Sequence, residues 1–542
     1  MLHVTVLGGN ISMKRRHFLQ AASVAASLGA APAWVRAQAP KSVFRWVPHA
    51  DLTLLDPLFT TTFITNIHAQ LVFDTLYGLD AQYKVSPQMA AGHVVENDGL
   101  LWKMTLRDGL KFHDGSPVLA KDVRASLLRW AKRDLMGASL MQATESLTTL
   151  DDKTIQFKLS KPFPLILQAL ARQQGSMAAI MPERLATSPD GAPIKEMVGS
   201  GPLKFMAEQW VSGSHIIYDK FQDYVPRTDS FAPSFTAGPK IVHVDQVKWV
   251  IVPDRATAIA ALQTGEIDGI ETIDNDFLPT LRKDPSITLL KRTLPAISVL
   301  RFNHLHAPFN NPAIRRAVLS VIDQTEYMTA VNGADFPEYW SDRCGVFVPG
   351  SPLDSDAGME KLKGKRDLNR ARAMIKEAGY KGEPIVMLDP VDFPAHHAAA
   401  LVSADLFKRL GFKVDLIAMD WGTTVQRRNS QEPPAKGGWN VAFTAITGPN
   451  NLDPAGHLAL RGNGKQAWFG WPTSERLEQL RLAWFEAPDL EAQKKIARDI
   501  QLQVFEDVPY IPLGAVYGVT ALRKQWRDFQ PEMPLFYTFR KG

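Results

Sequence analysis

Thr105-Leu106-Arg107-Asp108-Gly109-Leu110-Lys111-Phe112-His113-Asp114-Gly115 overlaps an alternating run. Trp102, Met104 and Leu106 occupy one parity of it, and Lys103, Thr105 and Arg107 the other. Successive side chains of a strand point to opposite faces, so this pattern predicts a half-buried strand. Asp98-Gly99, Asp108-Gly109 and Asp114-Gly115 supply turn signals, and residues 97–115 are therefore expected to form antiparallel strands. Ala120 to Trp130 then reads as a helix and Lys153 to Leu159 as a further strand.

Outward from this stretch, short strands alternate with amphipathic helices. Val247 to Val252 is an apolar strand around Trp249; Asp254 is placed to cap the following helix and Gly265 to end it. That strand-helix unit predicts an α/β fold with a partly parallel sheet. Further on, Asn311 precedes Pro312 at a helix start, and Ile314, Ala317, Val318, Val321 and Ile322 share one face. Asp367 caps a helix that stops at Gly379; Ala395 to Leu410, Gly411 and Phe412 to Ala418 read as helix, cap and strand. A late helix from Leu490 to Phe505 leads into the extended Pro509-Tyr510-Ile511-Pro512-Leu513. No repeat or long Gly/Ser linker separates these units, so interleaved domains are expected.

The 542 residues are enough for two or three domains, and 45% apolar with 22% charged residues is ordinary globular composition. The N-terminus reads as an export tag. Lys14-Arg15-Arg16-His17-Phe18-Leu19 opens a weakly apolar run to Ala31, and Ala37-Gln38-Ala39 resembles a cleavage site. The paired arginines resemble the twin-arginine signal. The run is shorter than the roughly twenty residues needed to cross a bilayer. Residues 1–39 are thus expected to be a signal peptide, with Met13 as the natural start. The net charge is +5, and removing Lys14, Arg15, Arg16 and Arg36 leaves +1, which lacks the electrostatic footprint of a nucleic-acid binder. Cys344 is the single cysteine, which excludes intrachain disulfides, cysteine-based zinc or redox sites and a lipoprotein anchor. The periplasm of a Gram-negative bacterium is the expected home.

Catalytic motifs are absent: there is no H-E-x-x-H and no G-x-S-x-G. Gly464-Lys465 resembles the end of a phosphate loop, but Ala459 and Gln466 stand where a glycine and a hydroxyl residue are required. On a strand, His304 and His306 would share a face and so allow a metal; hydrogen-bonded histidines at a strand end are the simpler reading. His396 and His397 diverge by about 100° on a helix and are taken as surface residues. Cys344 is expected to be buried or inert. No catalytic residue, metal ligand or cofactor is assigned.

The block 105–115 with Ala120-Lys121-Asp122-Val123 resembles the signature of the family 5 extracellular solute-binding proteins, the peptide- and nickel-type receptors of ABC importers. Other blocks follow in the family's order: Leu55-Asp56-Pro57, Phe73-Asp74-Thr75-Leu76, Gly199-Ser200-Gly201-Pro202, Gln263-Thr264-Gly265-Glu266-Ile267-Asp268, Phe302-Asn303, Arg315-Arg316-Ala317, Ile322-Asp323 and Glu506-Asp507-Val508-Pro509-Tyr510-Ile511-Pro512-Leu513. The resemblance covers about residues 42–520. It implies an α/β, bilobal periplasmic-binding-protein fold (class II) with an extra inserted domain and interleaved lobes joined by a hinge. Lobe I would comprise 40–75, 198–294 and 512–542, the extra domain 76–197 and lobe II 295–511.

The same resemblance implies a monomer that carries a peptide or peptide-like solute to separate permease and ATPase subunits. Trp421 with Arg428 seven positions later resembles a pair in peptide-binding relatives, where Arg428 would grip a carboxylate and Trp421 supply a flat wall. Trp421 as core and Arg428 as a solvated helix residue is an equally weighted reading. Phe443, Thr444, Asn303 and Thr65 complete the implied ligand set with Asp453. The oligopeptide binders' aspartate for the peptide's amino end is missing after Trp439-Asn440-Val441-Ala442, and the first acid is Asp453. Either the solute lacks a buried amine, or Asp453 supplies its partner from a shifted loop. A metal or metal-chelate receptor is the alternative function, and an exported hydrolase a third.

Overall fold

The computed structural model describes residues 41–60, 62–80, 84–173, 176–189, 192–228, 233–363 and 366–542. The expected signal, residues 1–39, lies outside them. Among the described residues no helix is long and apolar enough to cross a membrane.

Two large mixed sheets organise a bilobal α/β fold. In the first, of seven strands, Val43–Val47 lies between Gln246–Val250 and Gly269–Ile270, parallel to both. Phe44, Trp46, Tyr218 and Trp249 are fully buried on this sheet, and the C-terminal rings of Trp526, Phe529, Phe536 and Phe539 close over Phe44. The expected helix follows as Arg255–Thr264: the Asp254 side chain accepts the Thr257 N–H, and Gly265 turns at φ 84°. The second sheet, of six strands, runs in the order Trp340–Ser341, Tyr510–Val516, Ala296–Phe302, Val441–Ile446, Pro384–Pro390, Lys413–Met419. Its helices Pro312–Leu319 and Leu368–Glu377 carry the expected Asn311 and Asp367 caps.

Strand Tyr510–Val516 runs past the boundary expected at residue 512. Pro512 does not end it, because the register shifts between Ser298 and Val299 and a bulge accommodates a residue without an N–H. The chain leaves the second sheet at Tyr517-Gly518 and enters the first at Val519. In the opposite direction, Lys291 ends a strand of the first sheet and Ala296 begins one of the second. The two crossing segments lie antiparallel in both sheets, Ile287–Lys291 against Val519–Arg523 in the first and Ala296–Phe302 against Tyr510–Val516 in the second.

Between Val47 and Leu203 the chain builds a separate four-stranded antiparallel sheet, Ala90–Glu96, Leu101–Leu106, Thr154–Leu159 and Thr144–Thr149, against helix Ala120–Ala131. Met104 and Leu106 are buried as the alternation requires. The strand expectation fails beyond Leu106. Residues 107–115 form a loop: Arg107 donates to the Gln88 carbonyl within the domain and to the Val225 carbonyl outside it, and His113 Nε2 lies 3.0 Å from Gly201 O. The glycines opposite are needed for close approach. Gly201 N–H donates to Val72 O at 2.8 Å, and a methyl on Gly199 would overlap that same oxygen. The most specific block in the sequence is thus a brace between the inserted domain and the first lobe.

Candidate functional site

Helix Trp421–Arg427 starts at Asp420, whose side chain accepts the Thr423 N–H, while Trp421 N–H donates to Asp392. Seven residues are two helical turns, so Arg428 at the C-cap returns to the face of Trp421. The Arg428 guanidinium carbon lies 5.2 Å from the Trp421 ring centroid and 4.5 Å from that of Phe469. The guanidinium thus lies within cation–π range of two rings. Among the described residues its one side-chain hydrogen bond, at 3.4 Å, goes to Thr444 Oγ1, and its buried Nε has no partner. Among the described residues Arg428 forms no ion pair, and burial lowers its pKa to about 10. It is a half-buried cation with no acid paired to it among the described residues.

His396 backs Trp421 at 5.0 Å and stacks on Phe393 at 4.3 Å. It is 3% exposed, so the expectation of a surface residue is overturned: Phe393 and Trp421 cover it. Burial, and then the charge of Arg428, lower its pKa to about 3, and its Nδ1 has no partner. His397 instead faces Asp389 at 2.7 Å.

Of the other implied ligand residues, Thr444 alone joins this cluster. Phe443 is 1% exposed on the opposite face of strand Val441–Ile446 and packs into the core of the second lobe. Asn303 is fully buried, donating to Trp439 O and accepting from Leu305 N–H. Thr65 is buried, donating to Leu54 O and accepting from Thr62. These three serve the fold, because their polar groups are already engaged or their side chains point away.

Asp453 lies elsewhere, on a cavity of about 280 Å³ between the inserted domain and the second lobe, with Met136, Gln168, Arg172, Leu353 and Trp484. Its Oδ1 accepts the Gly456 N–H at 2.8 Å; its other oxygen accepts no hydrogen bond among the described residues. Arg172, another residue of the cavity wall, places its Nε 3.4 Å from Asp134, and both are 6% exposed. Burial raises the Asp134 pKa and nearby Asp453 adds to the rise, against the pull of Arg172 and of the Gly137 and Met136 N–H groups. Apolar walls with a few convergent charged groups are the usual make-up of a small-molecule site. Arg172 and Asp134 were missed in the sequence because helix Leu135–Gln142, which Asp134 caps, and helix Ile166–Leu170, which precedes Arg172, carry no motif.

The possible metal geometry of His304 and His306 does not form, and the simpler reading of hydrogen-bonded histidines at a strand end agrees with the structure. The strand ends at Phe302, and each Nε2 turns to a different carbonyl, Pro509 at 3.4 Å and Gln431 at 3.0 Å. Among the described residues no group of three or more His, Cys, Asp or Glu side chains is placed to hold a metal. Cys344 is fully buried.

Comparison with known proteins agrees with this architecture. A Sinorhizobium fredii protein named "probable peptide ABC transporter periplasmic-binding protein" is 33% identical over 98% of this chain and 100% of its own. The glutathione-binding protein of Pectobacterium atrosepticum is 25% identical over 97% and 98%. Among solved structures, the Helicobacter pylori periplasmic binding protein DppA with the peptide STSA superposes with a TM-score of 0.76 at 21% identity, covering 92% of this chain and 98% of that one. The family described as bacterial extracellular solute-binding proteins, family 5, matches residues 84–467. The Sinorhizobium and Helicobacter proteins are both named as periplasmic binding proteins of ABC transporters. The chain belongs to the family 5 extracellular solute-binding proteins.

Proposed function

We propose that the protein binds a peptide or peptide-like solute between its lobes and carries it unaltered to the permease of an ABC importer. Arg428 receives a carboxylate of the solute and Asp453 its ammonium. The observation that carries this reading is Arg428: a half-buried guanidinium beside the Trp421 and Phe469 rings, with no acid partner among the described residues. A carboxylate in that place gains charge-assisted, forked hydrogen bonds without breaking an existing ion pair. Asp453 supplies the opposite charge from the wall of a separate cavity, through an oxygen left open.

The segments Arg292–Pro295 and Tyr517-Gly518 act as the hinge about which the lobes close. The names of the relatives, one peptide-type and one glutathione-binding, support a peptide-like cargo. Export by a twin-arginine route remains the reading of residues 14–19. Calorimetric titration with unmodified and N-acetylated di- and tripeptides tests the assignment. Acetylation is expected to weaken binding to the wild type and to matter little to Asp453→Asn. A strict requirement for the free amine that survives Asp453→Asn would refute it.

A further inference from the structure

Arg301 lies on strand Ala296–Phe302 and is 0% exposed. It pairs across the ladder with Ala442, and Val299 pairs with Thr444, so Arg301 and Thr444 stand on the same face of the sheet. Its guanidinium donates to three carbonyls on two stretches of one loop: Phe469 O at 2.6 Å, Ala459 O at 3.0 Å and Trp468 O at 3.3 Å. Among the described residues no carboxylate forms an ion pair with it. Burial lowers its pKa to about 9.

A guanidinium buried without a counter-ion is costly, and an apolar chain of similar length would fill the same space. What the charged fork adds is direction. It fixes the main chain at Trp468 and Phe469, and the next residue, Gly470, comes so close that a methyl there would press on Phe302 O and the Arg301 side chain. Gly470 O also accepts the His304 N–H at 2.8 Å. The Phe469 ring delivered in this way stands 4.5 Å from the guanidinium carbon of Arg428 and 5.7 Å from that of Arg301. Two cations flank one ring, and among the described residues no acid pairs with either. In a medium of low dielectric, that arrangement strengthens attraction for an anion beside Arg428.

We propose that Arg301 is a positioning residue which, by holding the main chain at Ala459 and Trp468-Phe469, sets the aromatic wall behind Arg428 and with it the preference of this site for a carboxylate. The inference rests on the assignment of Arg428 given above.

The test uses the full chain and two pools of mixed tripeptides, one with free C-termini and one C-terminally amidated, with occupancy read by native mass spectrometry. The wild type favours free acids by about tenfold or more, the worth of a hydrogen-bonded charge, and Arg428→Met abolishes that preference. Arg301→Met and Phe469→Ala each bring the preference down toward the Arg428→Met value, and Arg301→Lys keeps part of it. Discrimination against N-acetylated peptides stays at the wild-type level in all of these variants, which a general loss of structure would not allow. If Arg301→Met does not fold, Phe469→Ala decides, since it leaves Arg301 in place. A wild-type acid preference persisting in Phe469→Ala, or in a folded Arg301→Met, overturns the proposal. A wild type indifferent to amidation removes the Arg428 assignment, and the proposal with it.

Discussion

The backbone N–H of Arg292 donates to the carbonyl of Gly518 at 2.9 Å, joining the two strands at the level where they leave one sheet for the other. The Arg292 side chain then reaches back into the first lobe, to the carbonyl of Glu271 at 3.0 Å and its carboxylate at 3.2 Å. Glu271 is 1% exposed and also accepts from the His49 N–H and lies 2.8 Å from His49 Nδ1. The crossing strand is thereby anchored to the loop that follows strand Val43–Val47.

Burial alone would raise the Glu271 pKa, but His49 and Arg292 outweigh it and lower it from 4.5 to about 2. A carboxyl depressed in the folded state stabilises fully above its unfolded pKa, and that stabilisation is lost as pH falls through the folded one. Glu271→Gln is therefore expected to unfold more easily than the wild type at neutral pH, by about 3 kcal/mol. The difference should close between pH 4.5 and about 2. Urea unfolding across that range checks it; a gap independent of pH would contradict it.

Lys240 and Asp74 form a buried pair at 2.8 Å, 0% and 1% exposed, and the Tyr224 hydroxyl donates to the second Asp74 oxygen. Lys240→Met leaves that carboxylate without its cation and is expected to destabilise by about 3–5 kcal/mol. The double change Lys240→Met with Asp74→Leu should recover part of the loss. Thermal unfolding of the two variants separates a broken pair from general damage, since no recovery would mean the pair is not the cause.

Burial pushes the Cys344 thiol well above its ordinary pKa and leaves it no access to solvent. Thiolate is the reactive form. A disulfide-exchange reagent at pH 8 should thus leave the native protein unlabelled and react once denaturant is added. Rapid labelling of the native state would place the thiol at the surface.

What the sequence reveals follows from the range of each interaction. Caps such as Asp254, Asn311 and Asp367 act within four residues, so the helices they start are visible in the chain. Helical spacing likewise places Trp421 beside Arg428. Strand parity separates Thr444 from Phe443, but which parity faces the site depends on the whole sheet. Asn303 sits in a family block and Thr65 on helix Phe63–Val72; both tie loops, and pattern alone does not tell a loop tie from a ligand contact. Pairs far apart in sequence, such as Arg301 with Phe469 and Arg172 with Asp134, leave no local trace. The burial of His396 depends on Trp421, twenty-five residues on.

Small-angle scattering of the protein alone and with the free tripeptide pool bears most directly on the idea that two lobes shut on a charged solute. The radius of gyration should fall when peptides bind to the wild type and stay at its peptide-free value in a variant carrying both Asp453→Asn and Arg428→Met. An unchanged radius in a wild-type sample shown by calorimetry to be saturated with peptide would contradict it.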